Sequence, residues 1–142
     1  MDHPGTPRFH LAFPVTDLES SRRFYVEVLG CRVGRESNRW IDFDFYGHQI
    51  TGHLAPEQAG AASTTPVDGH PVPVRHFGVI LPWDDWHALS ARLSGTGIAF
   101  LIPPHVRFRG QPGEQATLFI TDPSGNGLEF KSFRDASRLF AR

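Results

Sequence analysis

Cysteine is nearly absent. Cys31 stands alone in a chain of 142 residues, so no intrachain disulfide can brace the fold, and a reducing cytoplasm is the expected compartment. Excess charge is missing as well. Fourteen basic and fifteen acidic residues leave a formal net charge of −1 with the histidines neutral, which provides no electrostatic footprint for nucleic acid. No apolar run approaches the length of a membrane span, so no membrane partner is expected. The opening Met1-Asp2-His3-Pro4-Gly5 lacks the basic and apolar regions of a signal peptide. A glycine-rich phosphate loop and a Ser-His-Asp constellation are both wanting, and Cys31 has no evident partner, which makes nucleophilic catalysis a poor reading. Methionine occurs once against twelve phenylalanines, so a rigid aromatic core or a pocket lined by rings is expected.

What is present has an ordinary globular balance, 39% hydrophobic and 20% charged. The length suits one compact domain over residues 1–142, or two very small modules sharing a core. Fourteen glycines and twelve prolines supply the turns that a strand-rich fold needs. A strand is predicted over 9–15, then a helix over 18–29 with Asp17 as its N-cap and Gly30 as its stop. A short strand over 31–36 follows. The clearest alternation is 40–46, where Ile41, Phe43 and Phe45 share one face and Trp40, Asp42, Asp44 and Tyr46 the other. Gly47-His48 turns the chain back into a strand over 49–54. Residues 56–73, rich in Ala, Gly, Pro, Thr and Ser, read as a linker or as a loop over a site. Beyond it the order repeats: strand 74–81, helix 84–93, strands 98–102, 116–121 and 128–133, with Trp83 and Trp86 packing at the start of the helix. Asp122-Pro123-Ser124-Gly125-Asn126-Gly127 is a strong turn.

Two segments echo each other close to half a chain apart: Arg8-Phe9-His10-Leu11-Ala12-Phe13 and Val74-Arg75-His76-Phe77-Gly78-Val79. Strands of this kind brought side by side let two imidazoles face one point, the beginning of a metal site. With the Asp17-to-Tyr25 helix and the Asp122-Pro123-Ser124-Gly125-Asn126-Gly127-Leu128-Glu129-Phe130 closing segment, the chain resembles the vicinal oxygen chelate superfamily. That group includes glyoxalase I, extradiol dioxygenases, and the bleomycin and fosfomycin resistance proteins. The resemblance implies an α+β fold of two βαβββ modules, at about 8–55 and 74–133, forming a half-open, barrel-like curved sheet with helices outside.

The resemblance also implies metal ligands at His10, His76 and Glu129. Two imidazoles and one carboxylate form a facial triad with open positions, a set that favours Fe(II) and accepts Mn, Ni, Co or Zn. Alternation places Glu129 opposite Leu128 and Phe130. Some relatives draw a fourth ligand from the last strand of the first module. No glutamate stands there; Gln49, Thr51 and His53 share a face, and His53 is a candidate ligand or base. His105 is a second candidate catalytic group, or else an exposed loop histidine. Phe119 takes the position where extradiol dioxygenases carry a helper tyrosine, which puts catechol cleavage in doubt. Arg107 and Arg109 have forked donors for a carboxylate or phosphate of a substrate, or else are solvated loop arginines; Trp40 either holds a flat substrate or caps a wet sheet face. On the same face an aspartate, Asp42 or Asp44, is a candidate to orient a ligand histidine.

These expectations converge on a metal-dependent enzyme that binds a small molecule through two adjacent oxygens, with dioxygenase chemistry favoured. One alternative is a glyoxalase-like lyase or isomerase. Another is a non-catalytic protein that sequesters a drug or antibiotic. A homodimer is expected from the resemblance alone.

Overall fold

The structure is a computed structural model that describes residues 5–142; residues 1–4, which carry most of the leader reading, lie outside the described residues. The described residues divide into two compact units, one formed by those up to 61 with 122–126 and one by 62–121 with 127–142. Among the described residues no helix is long and apolar enough to cross a membrane.

The first unit contains β1 (His10–Val15), α1 (Leu18–Arg23), β2 (Arg32–Glu36), β3 (Trp40–Phe45) and β4 (His48–Leu54), with its sheet in the order β1-β4-β3-β2. β1 runs parallel to β4, and the other pairs are antiparallel. Asp17 caps α1 as expected, its Oδ2 accepting from Ser20 N at 2.7 Å. Helical winding then widens over 24–28, where Leu29 N donates to Phe24 O five residues back at 3.2 Å. Gly30 stops it at φ +76°, a backbone region closed to most side chains. The predicted β3 alternation is present, with Ile41, Phe43 and Phe45 buried beside Phe13, Val15 and Tyr25. Tyr25 stacks within 4.8 Å of Phe43.

The Asp122–Asn126 turn belongs to this unit, and hydrogen bonds explain its shape. Asp122 Oδ1 accepts from Ser124 N and Asn126 N, each at 2.9 Å. Its Oδ2 accepts from the Asn126 amide at 2.9 Å and from the Tyr25 hydroxyl at 2.8 Å. Ser124 Oγ accepts from Thr16 N at 2.9 Å, and Asn126 Nδ2 donates to Pro14 O at 3.0 Å. Burial and the facing carboxylate push the Tyr25 phenol well above its ordinary pKa, so it acts as a fixed donor.

The second unit repeats the order with β7 (His76–Ile80), α2 (Trp83–Gly95), β8 (Ile102–Arg107), β9 (Gln115–Thr121) and β10 (Gly127–Phe133), its sheet ordered β7-β10-β9-β8. β7 and β10 are parallel. Trp86, Leu89 and Leu93 form the buried stripe of α2, and Trp86 Nε1 donates to Phe130 O at 2.8 Å. Two βαβββ modules of identical topology are therefore present.

Two sequence expectations need correction. The 56–73 segment is not plain linker: it holds most of a hairpin, β5 (Ser63–Val67) with β6 (His70–Val74), turned at Asp68-Gly69. The strand expected at 98–102 begins only at Ile102 and runs to Arg107. Its pairing with β9 shifts between Ile102 and His105 through a bulge.

Candidate functional site

In the second unit, register and parity determine which side chains meet. β7 and β10 pair with His76 opposite Gly127 and Gly78 opposite Glu129. Neighbours in such a ladder point to the same face. Phe77 and Val79 therefore go with buried Leu128 and Phe130 toward α2, while His76, Glu129 and Lys131 share the opposite face. On β9, Thr117 and Phe119 point with them. The β8 bulge completes the set: Ile102 pairs with Phe119 and His105 with Thr117, so both face the same way although they are three residues apart. These side chains line a cavity of about 290 Å³ to which the β5–β6 hairpin adds Asp68, His70 and Val72.

At its centre Nε2 of His76 lies 3.0 Å from Oε2 of Glu129. Oε1 of Glu129 accepts from the Thr117 hydroxyl at 2.8 Å, and Lys131 Nζ lies 3.9 Å from the same oxygen. The other imidazole nitrogen, Nδ1, is 2.6 Å from the carbonyl of Pro73. A carbonyl only accepts, so Nδ1 bears hydrogen. An ionised carboxylate also only accepts, so Nε2 must present either a second hydrogen or a cation. The Glu129 hydrogen bond accordingly raises the pKa of His76 against the opposing effect of burial. Burial would raise Glu129, but hydrogen bonds from His76 and Thr117 and the charge of Lys131 outweigh it, leaving the carboxyl below its ordinary value.

This donor set fits a divalent cation. A backbone carbonyl holding Nδ1–H is the usual outer partner of a metal-bound imidazole, and Nε2 and Oε2 already address one point. Among the described residues no group of three or more His, Cys, Asp and Glu side chains gathers as a metal-holding cluster; the pair that the structure brings together is His76 with Glu129.

The remaining candidates separate clearly. His105, Arg107 and Phe119 line the same cavity as the pair. Phe119 is buried and meets the His76 ring edge-on at 5.0 Å. His105 is on a strand, with Nδ1 2.9 Å from Pro103 O, and not in a loop. Arg109 is exposed beyond the end of β8 and does not line this cavity. His10, Trp40 and His53 belong to the first unit. His10 opens β1 beside Gln49, and His53 pairs with Trp40 and Pro14. Asp42 is buried, but its partners are the Thr51 hydroxyl at 2.6 Å and the Gln49 amide at 3.4 Å, not a histidine. Cys31 is buried, and desolvation with the nearby Asp44 charge pushes its thiol up to about 12, which removes it as a nucleophile. The sequence reading missed Thr117, Lys131, Asp68 and His70. Thr117 was available from its spacing two residues before Phe119 on one strand face.

Residues 9–130 match the family described as the Glyoxalase/Bleomycin resistance protein/Dioxygenase superfamily. The chain belongs to this superfamily. A solved superfamily structure from Alicyclobacillus acidocaldarius, described as a glyoxalase/bleomycin resistance protein/dioxygenase, is 34% identical, with a TM-score of 0.79 over 99% of this chain and 100% of that one. Catechol-2,3-dioxygenase from Bacillus subtilis (strain 168) is 25% identical over 136 residues; the match takes in 95% of this chain but only 44% of that protein, so the chain spans less than half of the enzyme's length. A genomically encoded fosfomycin resistance protein from Listeria monocytogenes shares the fold with a TM-score of 0.69 at 14% identity, over 94% of this chain and 98% of that one.

Proposed function

We propose that this superfamily member is a metal-dependent enzyme whose small oxygenated substrate chelates a divalent cation held by His76 and Glu129. The observation that carries the reading is the His76 imidazole, with Nδ1–H committed to Pro73 and Nε2 aimed at a carboxylate oxygen. The family resemblance implies His10 as a further donor, and a set of two imidazoles with one carboxylate favours Fe(II). The likeness to a catechol dioxygenase along nearly the whole chain supports dioxygenase chemistry over the lyase alternative. When bound, the cation would supply Lewis acidity toward adjacent substrate oxygens and, as iron, a place for dioxygen.

The protein's own groups have distinct tasks. Thr117 holds Oε1 of Glu129, which leaves Oε2 for the site. Pro73 fixes the tautomer of His76. Phe119 packs with Val72 and Ile102 to form a dry wall. Because His105 spends Nδ1–H on Pro103, its Nε2 is the ring nitrogen left to take or give a proton. His53 and Trp40 keep their proposed roles as base and substrate support, and Arg109 that of an anion contact.

The test is elemental mass spectrometry of protein purified without added metal or chelator, beside His76→Ala and Glu129→Gln. Near-stoichiometric iron, lost in both variants, is expected, together with oxygen uptake on a panel of diols. Nickel or zinc lost in the same way would favour the lyase or isomerase. Metal content equal in all three proteins would refute the site.

A further inference from the structure

The tip of the β5–β6 hairpin reaches into the His76–Glu129 cavity with a carboxylate. Asp68 occupies the Asp68-Gly69 turn at φ 49°, and its Oδ2 lies 2.5 Å from Nε of Arg107. Beside it the ring of His70 stacks on His105 at 5.0 Å, with 30° between planes. Arg107 is mostly covered, at 26% side-chain exposure, whereas Asp68 is 53% exposed. The contact is also imperfect. Nε of Arg107 is buried without a hydrogen bond of proper alignment despite the short ionic distance. A guanidinium presents parallel donors for two oxygens of one anion, and a carboxylate tethered at a turn uses them poorly.

We infer that Arg107 is the anchor for an anionic group of the substrate, a carboxylate or a phosphate, and that Asp68 is the chain's own stand-in, displaced when that group binds. The inference rests on the proposed function for the location of the reacting end and adds the class of the other end. Asp68 is half in water, so its ion pair contributes little and exchanges easily. Arg107 is more buried, so an anion that reaches it gains charge-assisted hydrogen bonds in a less screened place. A substrate held there also has His70 and His105 as neighbouring hydrogen-bonding rings, with the His76–Glu129 pair in the same cavity. A non-anionic substrate would leave the Arg107–Asp68 pair closed and the hairpin in place.

The probes are inorganic phosphate and malonate, each titrated into the full-length protein freed of metal, at constant ionic strength, and followed by amide and arginine Nε–H NMR shifts. Saturable binding with shifts at Arg107 and the hairpin is expected. Arg107→Gln should weaken it at least tenfold, and Arg107→Lys, which retains the charge without the fork, should fall between. Asp68→Asn removes the competitor from an exposed turn and should tighten binding several-fold. Malonate binding without phosphate binding would assign a carboxylate, and the reverse a phosphate. The result that overturns the inference is equal binding, or none, in the wild type and Arg107→Gln, or an Asp68→Asn variant that binds no more tightly than the wild type. Metal content is read separately. Anion binding that survives His76→Ala upholds Arg107 even if the metal reading fails, and metal retained in Arg107→Gln upholds the metal reading even if the anion site fails.

Discussion

Metal uptake should expel one proton from His76. In the free protein both imidazole nitrogens face acceptors, Pro73 O at 2.6 Å and Glu129 Oε2 at 3.0 Å, so the charged form of the ring is stabilised and its pKa rises from the ordinary 6.5. A cation at this pair needs the Nε2 lone pair, and Nδ1–H can stay where it is. One proton is therefore released per metal ion at any pH below the raised value, and log K for the metal rises by about one per pH unit over that range. Each such unit is about 1.4 kcal/mol. Without metal the sign reverses. Protonated His76 contributes stability fully below 6.5, and that contribution is lost as pH rises through the raised folded value. Glu129, lowered from 4.5, contributes above 4.5 and loses its contribution as pH falls through the folded value.

Calorimetry of Zn²⁺ binding at pH 6, below the ordinary value of 6.5, in buffers of different ionisation enthalpy, counts the proton directly. Glu129→Gln removes the main cause of the raised value, so His76 of the metal-free variant, followed by NMR, should titrate below its wild-type value. Thermal melts of the metal-free protein should show wild type losing its margin over Glu129→Gln as pH rises. A His76 that titrates no higher in the metal-free wild type than in Glu129→Gln would refute the charged pair. Melting curves with the same pH dependence in both proteins would do the same.

Thr117→Val should weaken metal affinity about tenfold by freeing Glu129, with Thr117→Ser close to wild type; competition with a chelator measures both. Tyr25→Phe deletes a buried donor to Asp122 and should cost about 1–3 kcal/mol in thermal or urea unfolding; a loss too small to measure would mean that the turn does not depend on this bond. A Cβ on Gly78 would come 1.6 Å from the Glu129 carbonyl oxygen, so Gly78→Ala must part β7 from β10 and should cost more than about 2 kcal/mol and reduce metal content. Gly95→Ala, where a Cβ meets nothing within 4 Å, is the matched control and should melt at or above the wild-type temperature. Cys31, with its thiol pushed up to about 12, should resist a thiol reagent at pH 8 until denaturant is added.

The parts of the fold legible in sequence are those with one dominant local cause. Asp17 and Gly30 bracket the first helix because a cap and a positive φ have few residue solutions. The β3 alternation was readable because one face is all core. The hairpin at 63–74 was hidden by its prolines: Pro66 faces Pro71, and Pro73 faces Thr64, pairings that a two-stranded ribbon tolerates and a central strand would not. The predicted strands leave 103–115, with Pro103-Pro104, outside any element. In the structure a bulge absorbs that stretch, so His105 and Arg107, read as loop residues, become strand residues on the face of Glu129. Simple alternation from Ile102 would have turned both away. A bulge changes parity without any reliable residue signature, which is why this half of the site could not be placed from sequence.

The internal repeat also shows why a histidine–carboxylate pair forms in one module and not at the matching place in the other. His10 of β1 lies beside Gln49, so Ala12 lies beside Thr51; His76 lies beside Gly127, and Gly78 beside Glu129. By this register the counterpart of Glu129 in the first module is Thr51, while His53 matches Lys131, one step further along the same face. The first module does keep a carboxylate near that place, but on the adjacent strand. Asp42 pairs with Thr51 across β3–β4 and accepts its hydroxyl at 2.6 Å. In the second module the equivalent of Asp42 is Phe119, and the acid has its hydroxyl partner, Thr117, on β9. Each module thus has one acid bonded to one threonine on the face away from its helix, with the two roles on exchanged strands. Only the second places the carboxylate on the strand next to its histidine. That difference of one strand makes His76–Glu129 a hydrogen-bonded pair, whereas in the first module the matching position, Thr51, serves as the hydroxyl partner of Asp42.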